Sequence, residues 1–179
     1  SGLVLIDYLK KNNTAREGNV LFLTKPLGVG ILTTAEKKGL LKEEHTPIAT
    51  RQMIQLNKVG EALGKLNAVT AITDVTGFGL LGHLVEMAEG SGLSAEINFE
   101  HVPLIIPDIK YYIDNKSIPG GTNRNWDSYG NKVSEISDYQ KAILADPQTS
   151  GGLLIAVDPS EVNDIRKIFT DHHLEFITE

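Results

Sequence analysis

The sequence predicts an α+β fold, a mixed sheet with helices packed against it. Three observations carry that expectation. Short apolar or alternating runs bounded by Gly and Pro read as strands at 19–25, 68–73, 93–99 and 151–157. Longer stretches with apolar residues three and four apart read as helices between them. The order strand–helix–helix–strand–helix–strand, a loop region, then strand–helix–strand alternates, yet holds too few crossover units for a doubly wound sheet. A chain of 179 residues is long enough for one ordinary core.

The elements follow in order. "NVLFLTK" (19–25) lies between Gly18 and Pro26 and reads as a buried strand. In "PLGVGILTTAEKKG", Leu27, Ile31, Leu32 and Ala35 share a helical face, with Gly39 placed to end it. Thr46-Pro47 forms an N-cap followed by proline at the first helical position. Ala49, Met53, Leu56, Val59, Leu63 and Leu66 then predict one helix over 47–66. After the strand at 68–73, Leu80, Leu81, Leu84, Val85 and Ala88 predict the inner face of a helix over 78–89, ended by Gly90 and Gly92.

"LSAEINF" (93–99) alternates like a half-buried strand. "VPLII" (102–106) is ambiguous because of its proline. A short helix fits 108–115. The polar run 117–137 predicts a long loop, of the kind that is often functional or mobile. "YQKAIL" (139–144) predicts a helix and "GGLLIAV" (151–157) a strand. Asp158-Pro159 with Glu161 predicts a capping box into a helix over 159–172, with Val162, Ile165, Phe169 and His172 inward. "LEFITE" closes the chain as an apparent strand.

Composition narrows the function classes. Apolar residues make up 41% and charged residues 22%, and no run approaches the roughly 20 apolar residues of a membrane helix. Cysteine is absent, which removes disulfides, thiolate metal sites and a cysteine nucleophile from this chain. That is compatible with a cytoplasmic protein. The net charge is −6, and Lys37, Lys38 and Lys42 read as a solvated helix end. A nucleic-acid partner is therefore not expected, because phosphate contacts need concentrated Lys and Arg.

The densest chemistry lies in "ITDVTGFGLLGHLVEM" (72–87). Gly77, Gly79 and Gly82 have dinucleotide-fingerprint spacing, with a strand before, a helix after, and Glu100 about 20 residues on. Asp74 opposes that reading, since a carboxylate there repels a pyrophosphate unless a cation intervenes. The alternative is metal and phosphate: Asp74 ends a strand, Thr76 has a hydroxyl, and the amides of Gly77, Phe78 and Gly79 open a helix. Mg²⁺ takes oxygen ligands, often one or two carboxylates plus phosphates. A single Asp is too few, so other ligands would have to come from elsewhere. Asp74 as a plain capping residue beside the helix dipole stands equal to that reading.

In "DPQTSGGLLIAV", Asp146, Gln148, Thr149 and Ser150 read first as a hydrogen-bonded loop that positions the next strand. In "GGTNRN", Arg124 and Asn125 stand between anion contacts and an ordinary surface loop. The histidines lack metal-ligand spacing, and no nucleophilic triad is supported.

Taken together, "LTKPLGVGILTTA", "TDVTGFGLLGHLVEM", "GGTNRNW" and "DPQTSGGLLIAV" resemble the selenophosphate synthetases (selenide, water dikinases), in that order along the chain. Looser forms of the first, second and fourth occur in the wider aminoimidazole ribonucleotide synthetase superfamily. The resemblance implies a C-terminal domain over 19–179, with 1–18 as a lead-in from an absent N-terminal domain. It implies a three-layer α/β/α unit with a mixed sheet and partial ferredoxin-like topology.

The reaction implied consumes selenide, ATP and water and yields selenophosphate, AMP and phosphate, in a homodimeric parent enzyme. The catalytic Cys or selenocysteine, a catalytic Lys and further Asp ligands would lie in the N-terminal domain, so no catalytic residue is expected here and this chain alone is expected to be inactive. Asp74 matches the family's Mg²⁺ ligand at the ATP phosphates. Thr76, Gly77 and Gly79 are weaker candidates for the phosphate end, and Lys25, Arg124 and Asn125 weaker still. A sister synthetase of the same superfamily and an NAD-binding module remain as alternatives.

Overall fold

The computed structural model describes residues 3–174. Three strands form its sheet: β1 (Val20–Leu23), β2 (Val69–Asp74) and β3 (Leu153–Val157). The order is β1-β3-β2, and both outer strands run antiparallel to β3. The expected mixed sheet is thus realised as two antiparallel ladders, with a single isolated parallel bridge between Leu27 and Leu104. β1 and β2 lie parallel to each other with β3 between them, the split crossover of ferredoxin-like units. The central strand reads LLIAV without alternation because both of its faces are covered.

Two apolar clusters lie on the two faces of the sheet, which makes three layers. On one face, Leu23, Ala71, Leu154 and Ala156 meet α1 (Val29–Lys37), α2 (Thr46–Ile54), α4 (Gly79–Ser91), α5 (Ile109–Asp114) and α7 (Asp138–Leu144). On the other, Phe22, Val69, Leu153, Ile155 and Val157 meet α3 (Val59–Gly64) and α8 (Val162–Asp171). Phe22 and Phe169 close that second cluster edge to face, with ring centroids 5.4 Å apart. Each such buried ring contributes roughly 1.5–3 kcal/mol over exposure. In β2 one extra residue, Thr70, is bulged between Val69 and Ala71.

The helix expected over 47–66 is two helices. Ala49 of α2 packs in the first cluster, while Val59 and Leu63 of α3 pack in the second. A continuous rod cannot serve both faces of the sheet, so the chain breaks at Gln55, which is extended (ψ 123°), and Leu56 is left exposed.

The strand expected over 93–99 does not form. Its alternation survives as burial, with Ile97 and Phe99 half-buried and Glu96, Asn98 and Glu100 exposed. The backbone instead docks further on, where Leu27 N–H donates to Pro103 O (2.8 Å) and Ile105 N–H to Leu27 O (2.9 Å). A small apolar cavity of about 70 Å³, lined by Leu21, Leu23, Leu84, Ile97 and Val102 among others, separates the segment from β1.

The expected loop 117–137 is largely helical: α6 (Gly120–Tyr129) follows Pro119 and continues into a 3-10 turn at Gly130–Lys132. Its buried residues, Thr122, Asn125 and Tyr129, lie on one face but are polar or amphipathic. On α4, His83 and Met87 are buried where Val85 and Ala88 were expected, and those two are half-buried. At α8, Asp158 accepts from Ser160 N–H rather than forming a capping box to Glu161, a 3-10 turn precedes the helix, and His172 is exposed. "LEFITE" falls almost wholly outside the described residues.

The lead-in is tied to the body from Lys10 onward. Lys10 Nζ donates to Leu66 O (2.7 Å), Ile72 N–H to Lys11 O (3.0 Å) and Thr14 Oγ1 to Thr70 O (2.7 Å), along the outer edge of β2.

Candidate functional site

β2 delivers Asp74 to its C-terminal end, opposite Leu153 in the ladder. One further backbone bond, Val75 N–H to Gly152 O (2.8 Å), extends the pairing past the strand. The chain then turns through Thr76, Gly77 and Phe78 into α4. The Thr76 carbonyl accepts from Gly79 N–H and from Gln148 N–H, both at 3.0 Å. The Thr76 amide donates to His83 Nε2 at 3.1 Å, and Thr76 Oγ1 lies 3.2 Å from the same nitrogen. Both backbone polar groups of Thr76 therefore have a partner.

The Asp74 carboxylate is exposed and makes no hydrogen bond or ion pair to a described residue, while the Asp74 backbone carbonyl accepts from Thr73 Oγ1 at 3.4 Å. Asp74 borders an open depression with Lys11, Asn57, Glu61 and Thr73. Gly77 has open space where a Cβ would stand, and Phe78 is 58% exposed. Gly79 differs: its φ is +71°, and a Cβ would come within 2.9 Å of the Leu144 and Ala145 backbone. Gly82 lies against the Phe78 and Tyr129 side chains. Two of the three fingerprint glycines are thus needed for packing. The antiparallel sheet also lacks the parallel strands of a dinucleotide fold.

The "GGTNRN" segment reaches this turn through α6. Asn125 is buried and donates from Nδ2 to Gly77 O (2.8 Å) and Ala145 O (3.0 Å), and Tyr129 donates its hydroxyl to Phe78 O (2.7 Å). Burial pushes the Tyr129 phenol up to about 12, so it stays a donor. Arg124 takes no part in these contacts. It is exposed and makes no hydrogen bond or ion pair to a described residue.

Lys25 is only 2% exposed. Its Nζ donates to Gln55 O and Ser150 O, each at 2.7 Å, and approaches Gln52 O at 3.4 Å. These acceptors come from the α2–α3 break and from the "DPQTSGG" loop, so the ammonium ties those segments together. Burial lowers its pKa.

The same loop caps α1. Asp146, fully buried, accepts from Gly30 N–H (3.0 Å) and from Gln148 Nε2 (2.8 Å), and Gln148 Oε1 accepts from Val29 N–H (3.3 Å). Burial pushes the Asp146 carboxyl up to about 8, against the lowering effect of those bonds. All four sequence motifs are therefore linked by hydrogen bonds around the turn that follows Asp74. Of the seven candidate residues, Asp74, Thr76, Gly77 and Gly79 form that turn, Lys25 and Asn125 support it from behind, and Arg124 stands apart.

His83 also belongs to this assembly, although its sequence spacing fits neither a metal-ligand nor a triad pattern. The readable signal is a strand-end threonine and a histidine seven residues on, one turn into the helix. Burial lowers the His83 pKa, opposed by Asp74 and Glu86. Among the described residues no group of three or more His, Asp or Glu is placed to hold a metal ion. An ion at Asp74 would take one protein oxygen from this chain and need the rest from elsewhere. The residues fit Mg²⁺ in that limited sense, since the carboxylate is exposed and unengaged. No helix of the described residues is long and apolar enough to cross a membrane.

Comparison with known proteins agrees with this geometry. Residues 16–178 match the family model described as AIR synthase related protein, C-terminal domain. The chain is 52% identical over 175 residues to the selenide, water dikinase of Pasteurella multocida, covering 98% of this chain and 50% of that protein. It is 57% identical over 159 residues to the one from Pseudomonas putida, covering 89% and 46%. The chain thus spans about half the length of the curated relatives it matches. Among solved structures, hydrogenase maturation protein HypE superposes with a TM-score of 0.71 at 16% identity, over 98% of this chain and 47% of that one. Thermotoga maritima PurL complexed with AMPPCP gives 0.57 at 17% identity, over 98% and 23%. At these identities the structural likeness speaks for the fold alone.

Proposed function

The chain belongs to the AIR synthase related family through its C-terminal domain, and from that premise we propose that it is the C-terminal half of a selenide, water dikinase. The enzyme would use ATP, selenide and water to make selenophosphate, with AMP and phosphate as the other products. The observation that carries this reading is the 52% identity to such a protein across 98% of the chain. A sister synthetase of the superfamily shares the fold without that identity.

Asp74 would be one carboxylate ligand of Mg²⁺ bound to the ATP phosphates, the remaining ligands coming from an N-terminal domain. The ion would neutralise phosphate charge during displacement. The chain's own contribution is placement. The Thr76 amide and carbonyl are both held, so the carboxylate two residues earlier leaves a rigid strand end. The Gly77 and Phe78 amides, which have no partner among the described residues, would be available to phosphate oxygens at the start of α4. Open space at Gly77 permits close approach. Lys25 and Asn125 act behind the turn, and Arg124 is left free to meet an anion.

Leu3, Leu5 and Ile6 are exposed at 105%, 68% and 88%. Such a run favours a covering partner, which in this reading is the N-terminal domain in a cytoplasmic homodimer.

The test is selenide-dependent AMP formation by the full-length protein, beside this chain alone and beside full-length Asp74→Asn. The full-length protein should be active with Mg²⁺, this chain inactive, and the variant folded but deprived of Mg²⁺-dependent turnover. Wild-type activity in Asp74→Asn would remove the ligand role, and AMP formation by this chain alone would remove the half-enzyme reading.

A further inference from the structure

We propose that His83 is a positioning residue for the Asp74 turn: its Nε2 holds the Thr76 amide and so sets the direction in which Asp74 and the Gly77 amide present themselves to Mg²⁺-bound phosphate. This rests on the reading of Asp74 given above.

The geometry assigns the ring's protonation. An amide can only donate, so the Nε2 facing Thr76 N–H at 3.1 Å must carry a lone pair. The neutral ring then has its proton on Nδ1. That N–H is buried with no hydrogen bond, and Glu86 Oε2 lies 3.8 Å from it. Glu86 in turn accepts from Asn12 Nδ2 through its other oxygen, at 3.0 Å. Asn12, Glu86 and His83 thus lie in sequence toward the Thr76 amide, hydrogen-bonded at both ends and joined in the middle by the 3.8 Å approach of Glu86 to the ring. Phe78 stands edge to face on the ring, centroids 6.1 Å apart, which fixes the ring from the turn side.

A core histidine needs none of this. Its place could be filled by leucine with equal packing, whereas an acceptor 3.1 Å from an amide of this turn has a directional effect. Without it the Thr76 N–H is left unpaired in a half-buried site. The Val75–Thr76 peptide is then free to rotate between its two held neighbours, the Val75 amide on Gly152 O and the Thr76 carbonyl on Gly79 and Gln148.

Two substitutions separate the roles. Gln at position 83 carries an acceptor near the reach of Nε2, and Leu fills the space without one. In the full-length protein, His83→Leu should raise the Mg²⁺ concentration for half-maximal AMP formation about tenfold, the size of one lost directional bond. It should leave kcat within about twofold, as expected when ground-state and transition-state binding weaken together. His83→Gln should recover most of the Mg²⁺ dependence. In the same proteins, amide hydrogen exchange over 74–78 should accelerate about tenfold in His83→Leu and stay near wild type in His83→Gln.

Equal impairment of both variants, or wild-type exchange and Mg²⁺ dependence in His83→Leu, would overturn the proposal. If wild-type full-length protein makes no AMP from ATP and selenide, the functional reading fails. The exchange measurement then still decides whether His83 holds the turn.

Discussion

The Nζ of Lys25 lies 2.7 Å from the carbonyl oxygen of Gln55, and that contact takes up a carbonyl freed where α2 ends. A helix leaves its last carbonyls without internal donors. Here a buried cation supplies one and also bonds Ser150 O at 2.7 Å. The residue that permits the chain to cross from one face of the sheet to the other thus also anchors the loop packed beneath the Asp74 turn.

Replacing Lys25 by Met keeps the stem volume and removes the donor. Two part-buried carbonyls then lose their partner at about 1–3 kcal/mol each. Urea unfolding should show a loss of roughly 2–4 kcal/mol, within that range. Unchanged stability together with weakened nucleotide binding would instead assign Lys25 to the ligand.

Adjacent residues of α6 should behave oppositely. Asn125→Leu strands the Gly77 and Ala145 carbonyls and should cost about 1–3 kcal/mol. Arg124→Ala alters an exposed side chain without a described partner and should stay within about 0.5 kcal/mol. Thermal unfolding of the pair distinguishes a structural α6 face from an exchangeable one.

The two glycines of the turn separate fold from function. Gly79→Ala meets both a φ of +71° and the Ala145 backbone at 2.8 Å, so it should destabilise by about 1–3 kcal/mol or more. Gly77→Ala meets nothing within 4 Å. It should fold normally while raising the KM for ATP in the proposed reaction of the full-length protein. A normal KM in Gly77→Ala would place the phosphates elsewhere.

Asp146 predicts a pH dependence. Its folded value of about 8 exceeds the ordinary carboxylate value near 3.9. Between those values the folded chain keeps a proton that the unfolded chain has released. This component of stability is full at low pH and is lost as pH rises through about 8, with a slope of at most about 1.4 kcal/mol per pH unit. Urea midpoints at pH 5, 6.5 and 8 should decline less steeply in Asp146→Asn than in wild type. An identical slope in both would mean that Asp146 is ionised in the folded chain throughout that range.

Much of the layering was legible because the sheet and most helices bury apolar side chains at regular spacing. Phe22, Leu32, Leu84 and Ile155 all lie where periodicity puts them. α6 was not legible because Thr122, Asn125 and Tyr129 form its inner face through hydrogen bonding and mixed packing rather than an apolar stripe. The break at Gln55 was hidden for the opposite reason. The stripe over 47–66 runs on in register, and only the need to cover two faces of a sheet interrupts it. At the site, Asp74 stood out as a carboxylate before a glycine turn. The roles of Lys25, Asn125 and His83 depend on carbonyls and amides brought from distant parts of the chain, and those have no signature in side-chain spacing.

The bulge at Thr70 sets the phase of β2. Counted by simple alternation from Val69, residue 74 would fall on the face that holds α4. The single added residue inverts that parity, so Asp74 pairs with Leu153 and stands on the α3 side, beside Asn57 and Glu61. The side of the sheet from which this carboxylate projects is therefore written four residues upstream of it. One more insertion between Val69 and Asp74 would turn the carboxylate to the opposite side without changing a single residue of the turn.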